Sequence, residues 1–165
     1  MSAVRSCNSD DVTTLLTIVN SAAEAYRGVI PPDRWHEPYM SSTDLHREIS
    51  GGVALVGYEM DGELVGVMGI QSVQDVDLIR HAYVRPDHQR HGVGARLIKH
   101  LLRQSSRQML VGTWAAASWA IAFYQRNGFA LCSHERTVKL LRTYWTIPDR
   151  QIETSVVLAN PQLDQ

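Results

Sequence analysis

The hydrophobic pattern changes period several times along the chain, and each change marks an element. Val12, Leu15, Leu16, Val19, Ala22, Ala23 and Tyr26 recur at helical spacing and form one apolar stripe. Asn8 or Ser9 caps this helix, Asp10 and Asp11 lie in its first turn, where the dipole favours acids, and Gly28 with Pro31-Pro32 ends it. Ser41 or Ser42 caps a shorter helix over 44–50, which Gly51-Gly52 breaks. Two strand patterns follow over 53–60 and 64–72, joined by Asp61-Gly62, a tight-hairpin signal. A third runs over 75–85 and stops at Pro86. Gly94, Leu97, Ile98, Leu101 and Leu102 then make a one-sided helix suited to packing on a sheet. The remainder reads as a strand over 108–114, a helix over 118–126 stopped at Asn127-Gly128, and a strand over 129–133. A short helix over 137–145 and a last strand over 153–159 complete it, and residues 3–7 supply a first strand.

This order, β-α-α-β-β-β-α-β-α-β-α-β, predicts an α/β chain built on one mixed sheet with helices on its faces. The strand–helix–strand units need crossovers, while the Asp-Gly hairpin is antiparallel. With 165 residues the expectation is one domain, 1–165, able to bury a core without metal or disulfides. A formal net charge of -1 offers no global field for nucleic acid, so none is expected as a partner. No apolar run approaches the roughly 18 residues of a membrane span, and the N-terminus lacks a signal-peptide pattern. Cys7 and Cys132 read as reduced thiols, so the expected compartment is the cytoplasm.

One stretch changes the picture. Tyr83-Val84-Arg85-Pro86 ends an apolar strand, a short polar loop follows, and Gly92-Val93-Gly94 opens a helix. A helix N-terminus presents free N–H groups and a positive dipole end, which suits an anion such as a pyrophosphate. The dinucleotide fingerprint fails, because its third small residue falls on Leu97, and no Gly-Lys-Ser/Thr of a Walker loop is present. His88 and His91 are spaced loosely like ligands, but the other histidines form no second cluster, so no metal is expected. No Gly-x-Ser-x-Gly elbow supports a serine hydrolase.

What remains is Gln89-Arg90-His91-Gly92-Val93-Gly94 behind Tyr-Val-Arg-Pro, with Ala120-Ile121-Ala122-Phe123-Tyr124-Gln125-Arg126-Asn127-Gly128-Phe129 downstream. Together these blocks resemble the GNAT superfamily of N-acyltransferases, over about residues 76–130. The resemblance implies a mostly antiparallel central sheet flanked by helices and splayed between the strand before the glycine loop and the next strand. It implies acetyl-CoA as co-substrate. Backbone amides of Arg90, His91, Gly92, Val93, Gly94 and Ala95, with Gln89, would then hold the pyrophosphate, glycines admitting the ligand because a Cβ would obstruct it. Ala82, Tyr83 and Val84 would bind the pantetheine arm, an amide near Val84 would face the thioester oxygen, and Tyr124 would protonate the departing thiolate.

The chain departs from the family at two points. The Asn that contacts pantetheine is replaced by Ala117, with Ser118 as a substitute, and the general-base Glu is absent near Leu78. His81 is the first candidate for the base, since its reference pKa of about 6.5 suits proton capture near neutrality. Asp77, and Glu153 arriving from the last strand, come next; Asp75 is a further local acid. Acceptor contacts are expected from Tyr26, Arg27, Trp35 and Tyr39 in an aromatic, proline-broken segment, and from Trp114. The segment between Phe129 and Glu153 is longer than the family's usual hairpin and reads as a specificity element or a homodimer element. The resulting expectation is acetyl transfer to a primary amine of a small molecule. A protein or peptide acceptor and a non-catalytic acyl-CoA-binding regulatory module are the rivals.

Overall fold

A computed structural model describes Met1–Asp164; Gln165, the end of the expected tail, lies outside the described residues. The strands are β1 Ser2–Ser6, β2 Ala54–Met60, β3 Glu63–Val73, β4 Val76–Val84, β5 Gln108–Trp114, β6 Ala130–Leu131 and β7 Ser155–Asn160. The α-helices are α1 Val12–Ala22, α2 Ser42–Ser50, α3 Val93–Gln104, α4 Ser118–Arg126, α5 His134–Tyr144 and α6 Asp149–Glu153. The sheet order is β1-β2-β3-β4-β5-β7-β6. Pairs β1–β2, β2–β3, β5–β7 and β6–β7 are antiparallel, and β4–β5 is parallel. The mixed, mostly antiparallel sheet flanked by helices is the fold class expected above.

The chain divides into two compact units: Met1–Gln71 with Arg80–Gln104, and Ser72–Ile79 with Ser105 onward. The division falls inside β4, whose residues 76–79 pair with β5 from Val76↔Gln108 to Ile79↔Val111.

In the first unit, Leu15, Val19, Ala22 and Ala23 of the expected stripe are buried, Val12, Leu16 and Tyr26 are only partly so, and Ile18, outside the stripe, is fully buried. Leu15, Ile18 and Val19 of α1 pack with Leu45 of α2, Met40, and Val53, Leu55, Leu64 and Val67 of the hairpin region. Burying such side chains stabilises by roughly 1.5–3 kcal/mol each. A 3-10 turn over Ser9–Asp11 leads into α1 and opens on a capping box: the Asn8 side chain accepts from Asp10 N at 2.8 Å and Asp11 Oδ2 accepts from Asn8 N at 2.8 Å. Arg5 adds a bidentate pair to Asp11 at 2.9 Å for both bonds. Expected as one helix to Tyr26, the segment instead changes to a 3-10 turn over Ala23–Tyr26. α3 buries Val93, Leu97, Ile98 and Leu101. It approaches β3 at Gly66, where a Cβ would meet Val93 Cγ1 at 2.7 Å, so any larger residue would push the helix away.

The second unit is centred on Val76, Leu78, Leu110, Leu140, Leu141, Ile152 and Val157. Its C-terminal part differs most from expectation. The strand expected over 129–133 shrinks to Ala130–Leu131, because the Ser133 side chain accepts from Arg136 N and starts α5 early, at His134. Residues 149–153 form the further short helix α6, so β7 begins only at Ser155.

Candidate active site

In the first unit, β4 leads into the glycine loop through a 3-10 turn over Pro86–His88. The turn is closed by His88 N donating to Arg85 O at 2.9 Å, while Arg85 N donates back to Val65 O at 2.8 Å. Gln89 reaches back and donates its Nε2 to Val84 O at 3.0 Å, tying the loop to the strand end. Arg90 and Gly92 both have left-handed backbone, φ 66 and φ 80. The first bond into α3 is Arg96 N to Gly92 O at 3.1 Å, so helix geometry leaves the N–H groups of 93–95 without intrahelical acceptors. The first turn of α3 carries no acid to neutralise the dipole. Loop and helix together present these N–H groups at the positive end of the helix dipole, a geometry suited to an anion.

Tyr26, Tyr39 and Tyr83 meet one another, with ring centroids 6.0 Å apart for Tyr26–Tyr39, 6.4 Å for Tyr26–Tyr83 and 6.5 Å for Tyr39–Tyr83. Trp35 adds to this cluster at 5.6 Å from Tyr39. The segment carrying them is pinned to α1 by Asn20, whose Nδ2 donates to Met40 O at 2.9 Å and whose Oδ1 accepts from Met40 N at 2.8 Å. Arg27, expected among the acceptor contacts, is engaged within its own segment. Its guanidinium lies 4.6 Å from the Trp35 ring centroid and is paired with Glu24 and Glu37. Its observed contacts brace the aromatic segment.

His81 has φ 55 in the middle of β4, a conformation that costs a non-glycine residue about 1–3 kcal/mol. This irregularity resets the side-chain alternation, which is why strand parity is no guide here. Glu48 of α2 faces it: Glu48 Oε1 lies 3.3 Å from His81 Nε2 and 3.3 Å from Arg80 Nη2. The first contact is close enough for charge attraction but misaligned as a hydrogen bond, so His81 Nε2 is buried without a hydrogen-bond partner among the described residues. The His81 imidazole, followed by the Arg80 guanidinium, holds the Glu48 carboxyl below the usual carboxylate range. Arg80 is fixed on its other side by Gln71 Oε1 at 2.9 Å. Sequence reasoning missed Glu48. Its one signal was an acid at the C-terminal end of a short helix, against the dipole.

In the second unit, Tyr124 is a buried residue of α4, in edge contact with Phe123 at 5.1 Å and Phe129 at 5.9 Å between centroids. Ala117 is the N-cap of α4 and makes no side-chain cap bond, and its neighbour Ser118 starts the helix. Trp114 ends β5, opposite Ser155. Asp77 is buried and saturated: Ser72 Oγ donates to Oδ1 at 2.6 Å, Ser105 Oγ donates to Oδ2, and Arg107 Nη1 lies 3.5 Å from Oδ1. Its oxygens hold the segment together. Glu153 is exposed at the end of α6, a correction to its expected place on the last strand that follows from the extra helical turn. Asp75 accepts from Tyr144 Oη at 2.7 Å.

Comparisons with known proteins bear on the family and the fold. The family profile for the acetyltransferase (GNAT) domain matches residues 7–144. The [ribosomal protein bS18]-alanine N-acetyltransferase of Escherichia coli (strain K12) is 29% identical over 105 residues, and the chain spans 66% of that relative's length and 61% of its own. Among solved structures, the PaiA N-acetyltransferase from Thermoplasma acidophilum, in complex with coenzyme A, matches with TM-score 0.71 and 16% identity over 96% of this chain and 98% of that one. The ribosomal-protein-S18-alanine N-acetyltransferase from Escherichia coli matches with TM-score 0.67 and 18% identity over 96% and 92%. With the family profile spanning most of the sequence and the glycine loop in its place behind β4, the chain belongs to the acetyltransferase (GNAT) domain family.

Proposed function

We propose that this chain transfers an acetyl group from acetyl-CoA to the primary amine of a small molecule. The observation that carries the reading is the Gln89–Ala95 cradle opening α3 in a chain of this family. Amides of Arg90 through Ala95 take the pyrophosphate, and Ala82, Tyr83 and Val84 take the pantetheine arm, with Ser118 as a further polar contact. The acceptor nitrogen attacks the thioester carbon, the C–S bond breaks, the nitrogen loses a proton to water as the amide forms, and Tyr124 gives a proton to the leaving thiolate and regains one from water. A phenol with a reference pKa of about 10 keeps that proton at neutral pH. The two compact units belong to one domain in this reading, since the family match runs across both. The reading needs no metal and carries the expected cytoplasmic setting with it.

The aromatic cluster of Tyr26, Tyr39, Tyr83 and Trp35 favours a compact amine, held partly by cation–π attraction. A protein N-terminus is the second reading, favoured by the relative named for acetylating ribosomal protein bS18. Release of CoA thiol is measured over a panel of spermidine, tyramine, a free amino acid and an alanine-initiated peptide, with mass spectrometry of the products. Tyr124→Phe is expected to lower turnover about 10²-fold or more while acetyl-CoA binding persists. Acetylation of the peptide alone would transfer the proposal to the second reading. Binding of acetyl-CoA without acceptor-dependent thiol release would leave a regulatory binder, and loss of binding altogether would overturn the proposal.

A further inference from the structure

We infer that Glu48 and His81 form a proton-accepting pair for the acceptor amine, with His81 as the base and Glu48 as its positioning residue. The inference rests on the acyltransferase reading and adds to it a residue that the glycine-loop and Tyr124 motifs do not contain. On a regular strand, neighbouring side chains point to opposite faces. Arg80 and His81 are neighbours, yet both reach the same oxygen of Glu48, at 3.3 Å each. The left-handed backbone of His81 makes this convergence possible. The opposite strand is shaped to receive it: at Gly69 of β3, a Cβ would stand 2.9 Å from Arg80 O, so a larger residue would displace the irregular strand. Backbone strain, a glycine and two basic side chains thus converge on one half-buried carboxylate.

Glu48 lies near the C-terminal end of α2, where the helix dipole disfavours an anion. Arg80 and His81 offset that and keep the carboxylate ionised. An ionised Glu48 beside Nε2 selects the tautomer with hydrogen on Nε2, which leaves the Nδ1 lone pair to receive a proton. Catalytic hydrogen bonds are commonly long and misaligned before substrate binds, and the orienting Glu48–Nε2 contact has that form. His81 immediately precedes the stretch 82–84 assigned to the pantetheine arm, so the base belongs to the same strand end as the proposed thioester site. In the step, the ammonium of the acceptor gives one proton to Nδ1 and its nitrogen attacks the thioester carbon. The imidazolium, steadied by Glu48, then passes the proton to water.

The charged groups acting on Glu48 and thereby on the pair are Arg80 of β4 and Asp44 of α2. His81→Asn, which tolerates the left-handed backbone, and the near-isosteric Glu48→Gln are measured with the same four-amine panel between about pH 6.5 and 9. His81→Asn is expected to lower kcat about 10²-fold near pH 7 and Glu48→Gln about 10-fold, with acetyl-CoA affinity changed less than threefold. Both defects should shrink toward pH 9, where more of the amine is already deprotonated, and free imidazole should partly restore His81→Asn. A defect constant across pH, with no imidazole rescue, would reduce the pair to a structural contact. Wild-type turnover matched by both variants would remove the pair and leave the acyltransferase reading standing. Wild type inactive on all four amines would remove both.

Discussion

Residues 76–79 and 80–84 are consecutive stretches of one strand, and they are built differently. The first is regular, buried at every position and paired rung by rung with β5, and its carboxylate, Asp77, is satisfied by two hydroxyls and an arginine. The second is half-buried and carries a left-handed residue, His81, and its basic side chains share one oxygen of Glu48 without completing a hydrogen-bond network. A buried carboxylate held by two hydroxyls and an arginine is fixed in place, so it serves as a structural tie. An incompletely closed pair beside a strained backbone holds capacity that a substrate can use. Asp77 and Glu48 therefore differ in availability, which their sequence positions do not disclose.

That contrast can be broken by experiment. The largest stability effect is expected at Asp77→Ala, which strands Ser72, Ser105 and Arg107 and should cost about 3 kcal/mol or more. Thermal unfolding reads that cost. Acetyl-CoA binding by the folded protein at low temperature should persist, and its loss there would mean that Asp77 belongs to the site after all. Gly69→Ala comes next: the added methyl meets Arg80 O and Val53 Cγ1, both at 2.9 Å, and overpacking of this kind costs about 1–3 kcal/mol. If the shape of β4 at His81 matters for turnover, kcat should fall in this variant even at temperatures where it is fully folded. Unchanged kcat would detach the strained backbone from the chemistry.

The smallest effect sharpens the comparison from a third carboxylate. Asp11 is held below its ordinary range by Arg5, with which it makes two bonds at 2.9 Å. A depressed folded-state pKa means that this stabilisation is present above the unfolded pKa, about 3.9, and is lost as pH falls through the lower folded value. Arg5 is partly exposed, so solvent screening leaves about 1 kcal/mol. Asp11→Asn should be less stable than the parent by that amount near pH 7, and the two unfolding curves should converge as pH falls below 3.9. A gap that persists in acid would assign the effect to the capping geometry rather than to the charge.

The sequence by itself determined most of the element order, most of the core stripe of α1, the Asp-Gly hairpin and the glycine loop that opens α3. Each of these depends on local periodicity, capping or turn chemistry within a few residues. It misplaced the ends of the segment after Phe129, because a serine cap at Ser133 and a helical turn over 149–153 compete with weak strand patterns there. It named His81 and Asp77 as candidate bases with no means of ranking them by environment. Only the tertiary structure decided that Asp77 is held by Ser72 before it and by Ser105 and Arg107 beyond α3, and that Glu48, far away in sequence, meets His81. Alternation along a strand is readable only while the strand is regular. The left-handed turn at His81, accommodated by a glycine on the neighbouring strand, is a pairing of distant residues that no local window contains.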